Sequence, residues 1–203
     1  MQNQNAKALK SVCIFCGSSP GRDPIYLQTA VATGQALAKA GVTIVYGGGK
    51  VGLMGAVADA ALAAGGRVVG VIPRALVERE IGHTGLSQLH IVETMHERKT
   101  MMAQLSDGFI ALPGGAGTLE ELFEEWTWAQ LGIHQKPCGL LNVKDYFAPL
   151  IAMVERMVAE GFTIAAYAEM LIIETKVDAL LSRFGTYQPP PRKWLRTEAA
   201  AKP

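Results

Sequence analysis

Short apolar runs alternate along the chain with longer segments in which apolar residues recur at helical spacing. Most of the runs are apolar at every position, which is typical of strands covered on both faces of a parallel sheet. The pattern predicts strands at 11–16, 42–46, 67–72, 89–92, 108–112, 138–142 and 170–174. This alternating order, with short connections, predicts an α/β fold with a doubly wound, mostly parallel sheet flanked by helices.

The helical segments are bounded by residues that start and stop helices. Asp23 followed by Pro24 supplies an N-cap and a first-turn proline, and glycines close several of the segments. Further helices are predicted at 52–64, 94–105, 119–131, 146–160 and about 175–184. We expect one domain over residues 1–185 and a Pro-rich C-terminal tail over 186–203 that is partly disordered.

One arginine lies on an apolar helix stripe. In the segment 94–105, Met95, Met102 and Leu105 share one stripe, and Arg98 falls on it. An arginine at such a position either forms a buried ion pair or serves as a functional cation. The spacing alone leaves both interpretations open.

Composition and charge narrow the class of protein. The 203 residues are 49% apolar and 18% charged, which excludes a disordered chain, and the formal net charge of +1 provides no basic field for nucleic acid or a membrane surface. No secretory signal or membrane-length apolar run is present, so we expect a cytoplasmic protein. Cys13, Cys16 and Cys138 are few and odd in number, and we expect buried thiols, with Cys13 and Cys16 on opposite faces of a strand.

Three glycine-bearing loops follow predicted strands, where doubly wound sheets bind their ligands. They contain Gly17 and Ser18; Gly47, Gly48 and Gly49; and Gly114, Gly115, Ala116, Gly117 and Thr118. Free N–H groups in such loops, with a helix N-terminus behind them, favour an anion, and several together predict a nucleotide or sugar phosphate. The alternative for each loop is an ordinary tight turn.

The second loop matches a dinucleotide-binding pattern only in its glycines. The next strand ends without an acidic residue, which disfavours NAD, while Arg74 leaves NADP open. Lys50 is not followed by Ser or Thr, so the loop is not a nucleoside-triphosphate-binding P-loop.

Two glutamates follow the third loop. Thr118 and Glu121 have the spacing of a capping box, yet the same position would set the Glu121 carboxylate beside a bound ribose. Glu124 and Glu125 are interpreted as solvated helix surface.

The four histidines show no metal-ligand spacing, and no metal site is predicted.

Together, residues 113–121 (PGGAGTLEE), 95–99 (MHERK) and 47–55 (GGGKVGLMG) resemble the LONELY GUY (LOG) family of cytokinin riboside 5′-monophosphate phosphoribohydrolases, often labelled possible lysine decarboxylases. The resemblance extends from about residue 11 to 185. It implies a Rossmann-like fold, a homodimer, and no metal or organic cofactor.

The resemblance also implies a role for each matching residue. Arg98 and Glu121 would be the catalytic pair, and Glu80 and Lys99 would contact the substrate. The 5′-phosphate would be held by Gly114, Gly115, Ala116, Gly117 and Thr118, and the rest of the nucleotide by Gly17, Ser18, Gly47, Gly48 and Gly49. Ala116 replaces a larger residue found in many relatives, with little effect expected from a position that donates through its backbone.

The implied reaction is hydrolysis of the N-ribosidic bond of an adenosine 5′-monophosphate to free base and ribose 5-phosphate. Glu121 would stabilise an oxocarbenium-like transition state, while Arg98 would either polarise the leaving base or hold phosphate and Glu121 in register. Two other hypotheses stay open: a nonenzymatic nucleotide or cofactor carrier of the same fold, and a pyridoxal-phosphate decarboxylase using Lys50 or Lys99. The preference between an N6-prenylated and an unmodified adenine is also open.

Overall fold

The computed structural model describes residues 9–77 and 82–191 and is built on a single sheet of seven strands. The strands are β1 (Ser11–Phe15), β2 (Thr43–Tyr46), β3 (Val68–Pro73), β4 (Gln88–Val92), β5 (Phe109–Ala111), β6 (Cys138–Leu141) and β7 (Leu171–Glu174). Their order in the sheet is β4-β3-β2-β1-β5-β6-β7, and every pairing is parallel. The predicted parallel α/β sheet is therefore confirmed.

Helices connect successive strands. They are α1 (Pro24–Lys39), α2 (Gly52–Ala63), α3 (Arg74–Val77), α4 (Met95–Leu105), α5 (Ala116–Leu131), α6 (Ala148–Ala159), α7 (Ala165–Ala168) and α8 (Val177–Gly185), with a 3₁₀ turn at Val143–Asp145. No helix within the described segments is long and apolar enough to cross a bilayer. Of the predicted tail, residues 192–203 lie outside the described part of the chain.

The sheet is covered on both faces, as the continuous apolar runs predict. One core cluster joins the strands to α1, α2 and α8, and the other joins them to α4, α5 and α6. Cys16 belongs to the first cluster and Cys13 to the second, which confirms that these thiols point to opposite faces. Both, like Cys138, are buried and free.

Helix α4 buries only part of the stripe that the spacing predicts. Met95 is 43% exposed and Leu105 is also exposed, whereas Arg98 and Met102 of the stripe are buried together with Lys99. The two basic side chains face acidic partners on α5, where Arg98 pairs with Glu121 and Lys99 with Glu120.

Two predictions for α5 are wrong: the capping box formed by Thr118 and Glu121, and the exposure of Glu125 to solvent. Helix α5 begins at Ala116, three residues earlier than predicted, with Gly115 as an N-cap that has no side chain to offer, so Thr118 lies inside the helix. Glu125 is only 2% exposed because its carboxylate accepts a hydrogen bond from the ring of His134 at 3.0 Å. A residue outside the helix therefore covers a position whose sequence pattern predicts exposure.

The strand order places a switch point beside β1. The chain adds β2, β3 and β4 on one side of β1 and then returns to add β5, β6 and β7 on the other. The loops leaving β1 and β5 therefore diverge at the carboxyl edge, and ligands of doubly wound sheets bind in the crevice at such a point.

Candidate active site

The three predicted glycine loops meet at this edge, and Gly17 joins them. Its N–H donates to the carbonyl of Pro113 at 3.1 Å, and its carbonyl accepts from the N–H of Leu53, in the first turn of α2, at 3.0 Å. A Cβ added to Gly114 would lie only 2.8 Å from the backbone nitrogen of Gly17. The backbones after β1 and β5 thus approach so closely at Gly114 that a larger residue would force them apart.

The loop after β2 is buried at Gly47, Gly48 and Gly49. Gly48 has a φ of +76°, which favours glycine, and its carbonyl accepts a hydrogen bond from the N–H of His83 at 3.0 Å. Gly49 forms an isolated antiparallel bridge with Gly82. Glu80, an implied substrate contact, lies in the segment 78–81, outside the described residues.

The third loop leads into the N-terminus of α5. At Gly114 an added Cβ would lie 2.1 Å from the Thr118 hydroxyl, so the buried threonine occupies the space of a side chain. Around Gly115 and Gly117 nothing lies within 4 Å of an added Cβ, and both residues are exposed, as is Ala116. The first N–H groups of a helix have no intrahelical acceptor and carry the positive end of its dipole, so this exposed turn suits an anion.

Arg98 reaches from α4 to the glycine loop after β2. A Cβ added to Gly47 would lie only 2.0 Å from its Nη2, so the guanidinium occupies the space that the missing side chain leaves open. Arg98 is 9% exposed, and its buried Nε has no hydrogen-bond partner among the described residues. Its Nη2 lies 3.7 Å from the Glu121 Oε1, an ion pair without a short hydrogen bond. Arg98 therefore has one buried donor that no described group satisfies, and its pairing with Glu121 is loose.

Glu121 extends from the second turn of α5 toward Arg98, and its side chain is 14% exposed. Burial raises the pKa of Glu121 to about 7; the nearby Arg98 charge opposes this rise and Glu120 adds to it. A carboxyl group with such a pKa changes its ionisation near neutral pH, as groups used in acid–base or electrostatic catalysis do. The structure thus pairs the two residues that the sequence singles out.

Lys99, the other implied substrate contact, is held by two glutamates of α5. Its ammonium group donates to the carboxylates of Glu120 at 2.5 Å and of Glu124 at 3.0 Å. Burial lowers the pKa of Lys99, but these hydrogen bonds outweigh it, and its pKa lies above the ordinary value. Glu124 is therefore part of an ion-pair cluster, which corrects its interpretation as solvated surface.

A pocket of about 300 Å³ opens beside the loops. It is lined by Gly17, Ser18, Ser19, Gly114 and Gly115, by Pro20, Gly21, Leu53 and Pro113, and by Tyr26 and Tyr146. The two tyrosines form an edge-to-face pair, with 5.8 Å between ring centroids. Neither tyrosine is predicted from the sequence; the only signal for Tyr146 is its position shortly after β6, at the carboxyl edge.

The charged groups at this edge do not make a metal centre. Within residues 9–77 and 82–191, no group of three or more His, Cys, Asp or Glu side chains is arranged to hold a metal ion.

Comparisons with known proteins identify relatives over most of the chain. A family model described as possible lysine decarboxylase matches residues 54–184. A cytokinin riboside 5′-monophosphate phosphoribohydrolase of Rhodococcoides fascians is 48% identical over 174 residues, which cover 85% of this chain and 88% of that protein. A probable cytokinin riboside 5′-monophosphate phosphoribohydrolase of Oryza sativa subsp. japonica is 48% identical over 186 residues, which cover 92% of this chain and 76% of that protein.

Solved structures share the fold at much lower identity. The molybdenum cofactor binding protein of the phototrophic bacterium Rippkaea orientalis superposes with a TM-score of 0.66 and 20% sequence identity, over 87% of this chain and 96% of that one. At this identity the similarity supports the Rossmann-like fold alone.

Proposed function

The chain belongs to the family described as possible lysine decarboxylase, which confirms the resemblance to LONELY GUY proteins, and we propose that it is a cytokinin riboside 5′-monophosphate phosphoribohydrolase. It cleaves the N-ribosidic bond of N6-substituted adenosine 5′-monophosphates to free base and ribose 5-phosphate. The observation that carries this proposal is the buried Arg98–Glu121 pair next to an exposed helix N-terminus, in a chain 48% identical to such an enzyme.

The 5′-phosphate is bound where α5 begins. The backbone N–H groups of Gly115, Ala116, Gly117 and Thr118 surround it, and the helix dipole favours its charge. Nothing lies within 4 Å of a Cβ added to Gly115 or Gly117, so a phosphate has room to approach the backbone there, and Gly17 and Ser18 lie on the pocket wall. Binding energy from this end of the substrate positions the sugar for reaction.

The sugar then lies between the phosphate site and Glu121. As the bond from C1′ to the base breaks, positive charge develops on the ring, and an ionised Glu121 stabilises it and orients the attacking water. Because burial holds the pKa of Glu121 near 7, the active, ionised form increases as the pH rises through that value. The base leaves with its electrons stabilised by a proton or a strong hydrogen bond.

Arg98 supplies the donors at the centre of the site. Its guanidinium lies against Gly47 and beside Glu121, where it would polarise the departing base, or bind the phosphate while keeping Glu121 in register. We assign Gly47, Gly48 and Gly49 to contacts with the rest of the nucleotide. We assign Lys99, whose ammonium pairs with Glu120 and Glu124, to a substrate contact, and Glu80 to a further one.

The lysines of this chain do not fit the decarboxylase activity that the family description suggests. A pyridoxal-phosphate enzyme needs a lysine that becomes neutral to form a Schiff base. The Lys99 ammonium is paired with two carboxylates, which raise its pKa, and Lys50 is exposed on the loop surface. Neither lysine is prepared for that chemistry.

We also propose that the enzyme is a cytoplasmic homodimer. Its buried, unpaired cysteines fit a reducing compartment. Exposed large apolar side chains, among them Met153, Phe162 and Ile133, would lose contact with water if a second copy covered them, which would favour association. Light scattering coupled to size-exclusion chromatography measures the mass directly, and a monomer at micromolar concentration would contradict the dimer.

The test incubates purified protein with AMP and with N6-isopentenyl-AMP and measures free base and ribose 5-phosphate by chromatography. We expect equimolar release of both products and a ratio of kcat/KM that shows which base is preferred. Glu121→Gln should lose turnover by at least about 100-fold while still binding the nucleotide, and Glu155→Gln, on the exposed side of α6, should match the wild type. Nucleotide binding without base release from either substrate would favour the carrier instead.

A further inference from the structure

Tyr146 contacts the loop that receives the phosphate without belonging to it. Its hydroxyl donates a hydrogen bond to the carbonyl oxygen of Gly114 at 2.5 Å, and its ring lines the pocket. We propose that Tyr146 is a positioning residue that aims the N–H of Gly115 at the substrate's 5′-phosphate. The inference rests on the proposed function, because it assigns a role within that site.

One peptide unit links the Tyr146 hydroxyl to the N–H of Gly115. The carbonyl of Gly114 and the N–H of Gly115 belong to the same planar trans peptide and point in opposite directions. A donor that holds the carbonyl on one side therefore sets the direction of the N–H on the other. Tyr146 donates to that carbonyl, so it determines where the Gly115 N–H points.

Glycines flank this peptide on both sides, and a peptide between two glycines rotates with little steric resistance. Gly115 is exposed, nothing lies within 4 Å of an added Cβ there, and as the N-cap of α5 it has no side chain with which to fix the first turn. The neighbouring carbonyls of Pro113 and Gly115 accept backbone hydrogen bonds at 3.1 and 3.3 Å. The Gly114 carbonyl between them accepts its hydrogen bond from the Tyr146 hydroxyl.

The turn that carries Tyr146 is itself held in an unusual conformation. Lys144 and Asp145 both have positive φ, +52° and +55°, which L-residues adopt only when their surroundings require it. The buried side-chain oxygen of Asn142 accepts a hydrogen bond from the Phe147 N–H at 2.8 Å, and this bond closes the turn.

Two further contacts anchor the turn to α1. The ammonium of Lys144 binds the carboxylate of Asp23, the N-cap of α1, at 2.6 Å. The Tyr146 ring packs edge-to-face on Tyr26 of the same helix. These contacts hold the turn that carries Tyr146 against α1, and a positioning residue needs such a support.

The hydroxyl should affect the phosphate end of the substrate and leave the base end unaffected. A misdirected Gly115 N–H weakens binding of any ligand that carries the phosphate, whereas adenine does not use this N–H. A general structural defect would weaken both. The comparison of phosphorylated with unphosphorylated ligands therefore separates positioning from damage to the fold.

The experiment compares Tyr146→Phe with the wild type and with Tyr167→Phe, which removes a hydroxyl from a tyrosine on α7 that lines no part of this pocket. Calorimetry measures binding of AMP, ribose 5-phosphate and adenine to each protein, and kcat and KM are measured for AMP. In Tyr146→Phe we expect Kd for AMP and ribose 5-phosphate and KM for AMP to rise about 10- to 100-fold, the range for one charge-assisted hydrogen bond, with adenine binding unchanged. Tyr167→Phe should match the wild type throughout.

Equal losses of affinity for all three ligands in Tyr146→Phe would overturn the assignment, and so would unchanged affinity for AMP and ribose 5-phosphate. A wild-type protein that binds neither AMP nor ribose 5-phosphate would also overturn it. Because binding is measured without turnover, a wild type that binds AMP but releases no base would refute the hydrolase and still test Tyr146.

Discussion

Replacing Glu121 with glutamine should stabilise the fold at alkaline pH, in addition to abolishing turnover. Burial raises the pKa of Glu121 from 4.5 to about 7. The unfolded chain thus releases this proton near pH 4.5, and the folded chain retains it until about pH 7. Between these values the folded state binds more protons, so the contribution of Glu121 to the free energy of unfolding is greatest at low pH and is lost as the pH rises through 7.

The size of the effect follows from the same two values. Each pKa unit corresponds to 1.36 kcal/mol, so keeping an ionised Glu121 in the folded state costs about 3 kcal/mol above pH 7. Glutamine has nearly the same shape and no charge. Relative to the wild type, Glu121→Gln should therefore gain about 2 to 3 kcal/mol in free energy of unfolding between pH 5 and pH 8.

Urea unfolding at pH 5 and pH 8 measures this gain, at one protein concentration because association would change the apparent stability. Glu155→Gln makes the same chemical change on the exposed face of α6 and should stay within about 0.5 kcal/mol of the wild type at both pH values. If the Glu121→Gln difference were the same at both pH values, the premise of a buried carboxylate held against its ionisation would be wrong.

Two further changes test the site. Glu120→Gln removes a charge that raises the pKa of Glu121, so the acidic limb of the pH profile of kcat/KM for AMP should move to lower pH; a shift to higher pH would contradict the assignment of Glu121 as the ionised group. Gly47→Ala would place a methyl group 2.0 Å from the Nη2 of Arg98, and kcat/KM should fall at least about 100-fold, whereas Gly185→Ala, where an added Cβ meets nothing, should leave it unchanged.

Much of the site is accessible from the sequence because its signals are local. Glycine loops after apolar strands predict an anion site at the carboxyl edge, and the structure joins those loops at Gly17. The spacing of Arg98 on its helix leaves an ion pair or a functional cation open, and the structure shows a 3.7 Å pair with Glu121 together with a buried, unpaired Nε. The roles of these residues in catalysis remain predictions.

Several of the errors occur where a partner outside the local pattern shapes the environment. Glu125 has the pattern of helix surface, but it is buried and bonded to His134, beyond the end of the same helix. Lys99 lies outside the predicted stripe of α4, yet it is buried and paired with Glu120 and Glu124 of α5. Tyr146 has no sequence signal that connects it to Gly114, since the contact spans 32 positions.

The sequence by itself determined the strands, the class of sheet, the glycine loops that follow the strands and the family, because apolar periodicity and glycine act over a few neighbouring residues. The tertiary structure alone decided which loops meet, how deeply Glu121 is buried, and which side chains face it. These properties depend on the strand order that returns β5 to the side of β1, and the pairing of segments far apart in the chain leaves no mark in a local pattern.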